Sequence, residues 1–558
     1  MITSAWPYIQ VLPHLGTMVS SILPADIVAR FHRLRGDEVL YVTGSDEHGT
    51  PIEVEALRLG ITPQQLTDQN HQKVVRLFES WGIRFDNYTR TENPLHKEFV
   101  QNFYLKIYEN GYIFSQETEL PYCPECKRYL PDRFVEGTCP HCGYEQARGD
   151  QCADGCGRLL DPTDLIEPYC AICHSTPEIR QVTHWYLDLP KLTEPLREYI
   201  ENNERLPENA RNFSLNLLQE GLQPRPITRD TEWGIPAPFP GAEGKTIYVW
   251  VEAVLGYISA TIQHFKSLDE EEWKKYWFDK DAKTLYFIGK DNIPFHTIIL
   301  PALLLATKED YNLPWNVNST EFLLFQGQPF SKSRRIGVSI DEALELFPAD
   351  YWRYTLVSIR PETKDTTFTW KIFKEKVNAD LNDTLGNFIH RTLTFVNRHF
   401  DSTVPKPGKL DEYDRRILKL LTKRTNRTAQ ELEALNLQKA LRTVISLSRL
   451  GNRYLNQKEP WKTIKTNPQA AATILYVALQ IVKTLATALA PFIPHTAEEL
   501  WKLLNLPGTV HEKAWSEIGE PLPSGHIINK ARPLFQKIEA TEQELEEMLE
   551  ETRVGKTE

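Results

Sequence analysis

Outside residues 123–173 this chain of 558 residues has no cysteine. Disulfide bracing is therefore excluded over most of its length, where buried apolar surface must hold the fold. Runs able to cross a bilayer are missing too: the longest greasy stretch, residues 298–306, is too short and contains Pro301. The N-terminal run Met1-Ile2-Thr3-Ser4-Ala5-Trp6-Pro7-Tyr8 has neither the basic region nor the apolar core of a signal peptide. The expectation is a cytoplasmic protein with reduced thiols and no membrane partner. An excess of positive charge is missing as well: 64 basic residues face 75 acidic ones, and the net charge of −11 argues against indiscriminate nucleic-acid binding. A local basic surface stays open: residues 415–427 carry six cations and no anion, a pattern that suits a solvated helix face or RNA contact. The acidic stretch 539–551 reads as an exposed helix or a frayed tail. There is no internal repeat and no low-complexity tract.

The cysteines that are present form four close pairs: Cys123-x-x-Cys126, Cys139-Pro-His-Cys142, Cys152-Ala-Asp-Gly-Cys156 and Cys170-Ala-Ile-Cys173. That is enough thiolate for two tetrahedral zinc ions, and a closed four-cysteine site leaves no open position for catalysis. One or two structural zinc ions are expected, each replacing a core that the segment is too small to make. Spacing permits a sequential pairing (123, 126, 139 and 142, then the rest). It equally permits a nested one, with 139, 142, 152 and 156 inside and 123, 126, 170 and 173 outside. His141 and His174 flank the thiols and are not expected to be ligands.

The body around this segment alternates strand and helix. Residues 2–5 read as a strand and Val39–Thr43 as another. Between them Met18, Ile22, Ala25 and Phe31 recur at helical spacing up to Gly36. The pattern resumes with strands predicted over 246–251 and 284–289, and a helix from about Ile293. Such an order implies a parallel sheet, with ligands beyond the C-terminal strand ends. Beyond Asp380 long helical periodicities take over, at 381–400, 411–435, 437–455, 470–488 and 494–504, which implies a helical bundle.

Two short constellations carry chemistry. His14-Leu15-Gly16-Thr17 sits where the first helix opens, and free N–H groups at a helix start suit phosphate. Phe330-Ser331-Lys332-Ser333-Arg334 makes a basic loop able to neutralise charge in phosphoryl-type transfer. Alone, each is as readily a structural turn. In this order, however, the first resembles the HIGH motif of class I aminoacyl-tRNA synthetases and the second their KMSKS loop. Gly44-Ser45-Asp46-Glu47-His48-Gly49, Leu130-Pro131-Asp132-Arg133-Phe134, Trp233-Gly234-Ile235-Pro236, Tyr248-Val249-Trp250-x-Glu252-Ala253 and residues 287–296 stand between them. Together these resemble the methionyl-tRNA synthetase family, in its archaeal or eukaryotic-like branch, over most of the chain.

The resemblance implies an α/β fold: a Rossmann-type parallel-sheet catalytic domain split by a zinc-binding insertion, followed by an all-α anticodon-binding bundle. It divides the chain into catalytic halves at 1–115 and 231–345, an insertion at 116–230, a stem-contact linker at 346–380, the bundle at 381–530 and an acidic tail at 531–558. It implies methionine–tRNA ligase activity with ATP, L-methionine, tRNA(Met) and Mg2+. His14 and Lys332 would be catalytic, and Gly16, Thr17, Ser331 and Ser333 would join them around ATP. Asp46 would hold the substrate ammonium, while Trp6, Tyr8, Trp250, Ala253, Tyr257, Phe295 and His296 line the side-chain pocket. Asn387, Arg391 and Trp461 would read the anticodon, and the nested cysteine pairing is favoured. A monomer is expected.

Departures are visible as well. Thr17 stands where histidine is common, Pro329 where lysine is, Trp6 where leucine is, Val254 where proline is and Leu300 where tryptophan is. The last three leave room for an enzyme that activates another amino acid. A catalytically silent RNA-binding relative is the other alternative, opposed by the retention of His14, Asp46 and Lys332.

Overall fold

The computed structural model describes residues 1–149, 152, 155, 156, 158, 160–268, 271–331 and 335–554. At its centre lies a five-stranded parallel sheet in the order Asn316–Thr320, Leu285–Gly289, Ile2–Ser4, Tyr41–Ser45, Asn87–Arg90. Strands buried on both faces read as continuous apolar runs rather than alternations, as Leu285-Tyr286-Phe287-Ile288 does. The first strand pairs on one side with the next in the chain and on the other with a strand from far downstream. Strand order therefore reverses beside it, which is where ligands of open parallel sheets bind.

The first helix opens at Leu15, passes through a π-helical stretch at Met18–Ile22 and continues over Leu23–Arg35. Gly36, at φ 84°, ends it in the left-handed conformation that a side chain would resist. Two long antiparallel strands, Ile113–Cys123 and Glu178–Leu187, lead into and out of the cysteine-rich segment. The core of that segment holds Cys123, Cys139, Cys152 and Cys170 among only a few apolar residues, so little else in it resists unfolding.

The C-terminal part is a bundle built from Asn387–His399, Glu412–Glu433, Leu437–Lys458, Pro460–Thr466, Pro468–Leu489 and Pro494–Leu503. Contrary to the expectation that no run could cross a bilayer, Pro468–Leu489 is, among the described residues, the one helix long and apolar enough to do so, and 94% of its most apolar window is buried inside the molecule. A buried guanidinium ties the bundle to the sheet domain. Arg353 pairs with Asp26 at 2.7 Å and donates to the carbonyls of Trp81, Pro491 and Phe492.

Two expectations are corrected. Only Thr246–Ile247 of the predicted strand 246–251 is extended, and Val249–Glu252 turns into helix. A short apolar run serves a buried helical turn as well as a strand, and periodicity does not separate the two. The acidic C-terminal stretch is neither frayed nor merely exposed. Glu542–Val554 is a helix whose Leu545 and Leu549, one turn apart, are fully buried. Trp370 donates to Glu546 at 2.6 Å, and Arg553 pairs with Glu342 at 2.9 Å. An apolar stripe outweighed the charge that surrounds it.

Candidate active site

The helix start and the distant basic loop meet. His14 caps the first helix, its Nδ1 accepting from the Gly16 N–H at 3.1 Å. Its ring stacks on Phe330 at 4.6 Å between centroids and 13° between planes. Backbone bonds fasten the same two segments, from Leu15 to the Val338 carbonyl at 3.0 Å and from Ile340 to the Pro13 carbonyl at 3.0 Å. A Cβ on Gly16 would stand 2.8 Å from the His14 ring, so glycine is needed for the cap itself. Ser331 and Ile336 exchange backbone hydrogen bonds of 3.0 and 2.8 Å. Lys332 and Ser333 lie outside the described residues. Thr17 is partly exposed on the first turn, and its carbonyl accepts from Ser21 at 3.0 Å.

The candidate amino-acid pocket lies beyond the same strand ends. Tyr8 and Asp46 pair through their backbones, and the Tyr8 hydroxyl donates to the His48 carbonyl at 2.5 Å. Asp46 is buried, and among the described residues its Oδ1 has no hydrogen-bond partner. Burial first, then the Glu252 carboxylate, raises its pKa well above the ordinary carboxylate range. A cation placed there would satisfy the oxygen and favour the ionised form.

Trp250, 37% exposed, stacks on Phe295 at 5.1 Å. Ala253 is buried on the same helical turn. His296 donates from Nδ1 to the Asn292 carbonyl at 2.9 Å, and its Nε2 meets the Tyr257 hydroxyl at 2.7 Å. Burial holds the His296 pKa down to about 4. A neutral ring whose Nδ1 carries the proton must accept from the tyrosine, which fixes the direction of this bond.

Three of the five departures from the family pattern, Trp6, Val254 and Leu300, are buried. Trp6 packs edge-on to Tyr257, and its ring fills space where a Cβ on Gly44 or Gly256 would come within 2.7 or 2.5 Å of it. Those two glycines provide the room for the larger side chain. Val254 and Leu300 lie in the same apolar cluster, Leu300 fully buried.

Sequence reasoning missed the charged groups behind Asp46. His48 lies between two carboxylates, bonded through Nδ1 to Glu252 and through Nε2 to Glu92 at 2.8 Å. Glu92 also pairs with Lys97, and Glu47 with Arg90 at 2.6 Å. The stretch 44–49 had the composition of a turn, and the partners at 92 and 252 are remote in sequence.

The eight thiols fall into two groups, Cys123, Cys126, Cys170 and Cys173, and Cys139, Cys142, Cys152 and Cys156, each with its sulfurs within 4.8 Å of one another. This is the nested arrangement. Contacts such as Cys123–Cys173 at 3.5 Å and Cys142–Cys152 at 3.6 Å are close to the roughly 3.8 Å that four Zn–S bonds of about 2.3 Å impose on a tetrahedron. Both groups could hold zinc. His141 and His174 belong to neither; His141 meets Arg158 instead.

In the bundle, Asn387 and Arg391 share one helix, and the Arg391 guanidinium lies 5.1 Å from the Trp461 ring centroid. Most of the basic stretch, including Arg415, Arg416, Lys419, Lys423 and Arg427, is exposed on the helix Glu412–Glu433.

Comparison with known proteins places this geometry. Residues 1–393 match the family model for tRNA synthetases class I (M), and residues 404–553 that for the anticodon binding domain of methionyl tRNA ligase. The methionine–tRNA ligase of Thermofilum pendens is 54% identical over 100% of this chain and 98% of its own length. That of Pyrobaculum calidifontis is 53% identical over 99% of this chain and 96% of its own. Among solved structures, methionyl-tRNA synthetase of Mycobacterium tuberculosis in complex with methionyl-adenylate shares the fold, with a TM-score of 0.80 at 24% identity over 96% of this chain and 98% of that one. The chain therefore belongs to the methionyl family of class I aminoacyl-tRNA synthetases.

Proposed function

We propose that this protein is a methionine–tRNA ligase. The observation that carries the proposal is the meeting of His14 with Phe330 beside a pocket that contains the unpartnered Asp46 carboxylate oxygen. The methionine carboxylate attacks the α-phosphorus of ATP, and the bond from that phosphorus to the bridging oxygen of pyrophosphate breaks. The 2′-hydroxyl of the terminal tRNA ribose then attacks the acyl carbon, and AMP leaves. The protein supplies position and charge rather than covalent partners. Asp46 holds the ammonium group. His14, Gly16, Thr17, Ser331, Lys332 and Ser333 surround the phosphates, which Mg2+ accompanies. Trp250, Phe295 and the Tyr257–His296 pair receive the thioether, which makes only weak hydrogen bonds and is selected by shape and aromatic contact.

The test is ATP–pyrophosphate exchange with each amino acid in turn. Methionine-dependent exchange is the expected result. Exchange with a different amino acid, or with none, would overturn the proposal.

In the bundle, Trp461 offers a stacking surface for an unpaired anticodon base, while Arg391 and Asn387 read base edges. Trp461→Ala is expected to raise the KM for tRNA about 5- to 150-fold, the loss of one base–aromatic stack worth about 1–3 kcal/mol. Pyrophosphate exchange should be unchanged. An equal loss in both assays would instead report a folding defect.

Zinc in the two thiol groups is the structural element of the insertion. Chelation is expected to melt residues 123–173 as a separate low-temperature transition, seen by hydrogen exchange, while the bundle keeps its protection. Arg128 of this segment pairs with Glu53 at 3.1 Å, and Glu53 also accepts from the Trp233 N–H at 2.8 Å. Loss of zinc should therefore reach the pocket through Glu53 and reduce activation.

A further inference from the structure

His48 has no part in the reaction as described above, although it sits two residues from Asp46. It is almost wholly buried, and so is Glu252. Burying three such groups costs free energy unless charges compensate and hydrogen bonds are made. Here the arrangement is specific. Glu252 lies on the turn that carries Trp250 and Ala253, and Glu92 follows the strand Asn87–Arg90. His48 bonds to both. Its carbonyl receives the Tyr8 hydroxyl, and its backbone N–H donates to Asp46. One residue thus ties together the ammonium acceptor, an aromatic wall and the helical turn opposite.

The charges also count out. Among the groups that face His48, Asp46, Glu252 and Glu92 contribute three negative charges, and His48 and Lys97 two positive ones; Glu47 pairs instead with Arg90, which also holds the more exposed Asp68. With all of these groups ionised one negative charge is left, the complement of one ammonium group; in the free protein a proton on Asp46 takes that place and is released as the substrate binds. Among the described residues Glu252 Oε2, like Asp46 Oδ1, is buried without a partner, so one oxygen of each carboxylate is left without a hydrogen bond.

We propose that His48 is a positioning residue for methionine activation: as an imidazolium clamped between Glu92 and Glu252, it locks the pocket walls together and keeps Asp46 the single uncompensated carboxylate that receives the substrate ammonium. Burial opposes a charged ring, but the Glu252 and Glu92 carboxylates outweigh it and lift the His48 pKa to about 10. Without that cation a second buried negative charge would be left over, and a proton taken up among Asp46 and Glu252 would cost the ammonium its acceptor.

The inference rests on the proposed function and deepens it. Its test compares His48→Gln, Glu252→Gln and the double variant in methionine-dependent pyrophosphate exchange. Each single change is expected to raise the methionine KM at least about tenfold, with the ATP KM within about twofold, as for loss of a buried charge partner. The double variant restores the surplus of one negative charge and should recover to within about threefold of the parent, a coupling that only interacting groups give. The desamino analogue 4-(methylsulfanyl)butanoate should compete equally against the parent and His48→Gln. Should His48→Gln not fold, Glu252→Gln measured with methionine and with the desamino analogue carries the same test. Losses that multiply in the double variant, or that fall equally on ATP and on the desamino analogue, would overturn the role of His48. Absence of methionine-dependent exchange in the unmodified protein would overturn the function itself.

Discussion

Replacing Asp46 by asparagine is expected to raise the methionine KM from about thirtyfold to several thousandfold, the equivalent of about 2–5 kcal/mol for removing one partner of a buried charge pair. The side chain is buried, and among the described residues Oδ1 has no partner. At this depth bulk solvent replaces little of the lost attraction. Asparagine is nearly isosteric and avoids burying a charge, so the melting temperature should hold or rise while activity collapses, the usual exchange between stability and a strained site. The same environment sets a pH dependence. Burial and Glu252 raise the Asp46 pKa in the free protein, whereas an ammonium neighbour lowers it. Methionine binding then releases a proton, and affinity climbs with pH across the interval between the lowered and the raised values. Calorimetry in buffers of different ionisation enthalpy measures that proton directly; no release would sink the assignment of Asp46.

Lys332→Ala is expected to slow adenylate formation about 10²- to 10³-fold, the range found when one preorganised charge or donor is withdrawn from a transition state. Methionine affinity should change little, because the role proposed for the lysine is on the departing pyrophosphate. Rapid measurement of pyrophosphate release, set against equilibrium binding of methionine, separates the two effects. The surroundings support a role that demands position. Phe330 is stacked on His14, and Gly337, at φ 121°, leaves no space for a Cβ, which would fall 2.2 Å from the Phe330 ring. Arg553 of the C-terminal helix donates to the Gly337 carbonyl. Near-normal activation kinetics in the variant would remove Lys332 from the mechanism.

Much of the site was legible in the sequence because its parts are local. His14, Gly16 and Phe330 sit in short motifs with their own chemistry, and the four cysteine pairs announce themselves by spacing. What spacing withheld was partnership at long range. The nested grouping of the thiols depends on two strands, Ile113–Cys123 and Glu178–Leu187, pairing antiparallel across the insertion. His48 passed for turn material because Glu92 and Glu252 come to it from two other elements. Trp6 looked like a reshaped pocket wall until Gly44 and Gly256 were found to make its slot. The run 246–251 failed for another reason: apolar residues at this length fit both a strand and a buried helical turn, and tertiary packing decided. The acidic C-terminal helix was misjudged because composition hid the spacing of Leu545 and Leu549.

The order of the parallel sheet has a consequence for how the protein is made. Ile2–Ser4 lies in the middle, yet its partner Leu285–Gly289 leaves the ribosome much later. At about 5–20 residues per second, that wait is roughly a quarter of a minute to a minute. Throughout it, one side of a central strand that ends up fully buried has no permanent neighbour, and an unpaired strand edge invites pairing with other chains. The nascent polypeptide therefore calls for a chaperone or a transient cover during synthesis. Slowing translation between residues 90 and 285 should lower the yield of native enzyme more than the same delay placed within the helical bundle, whose contacts are nearer in sequence.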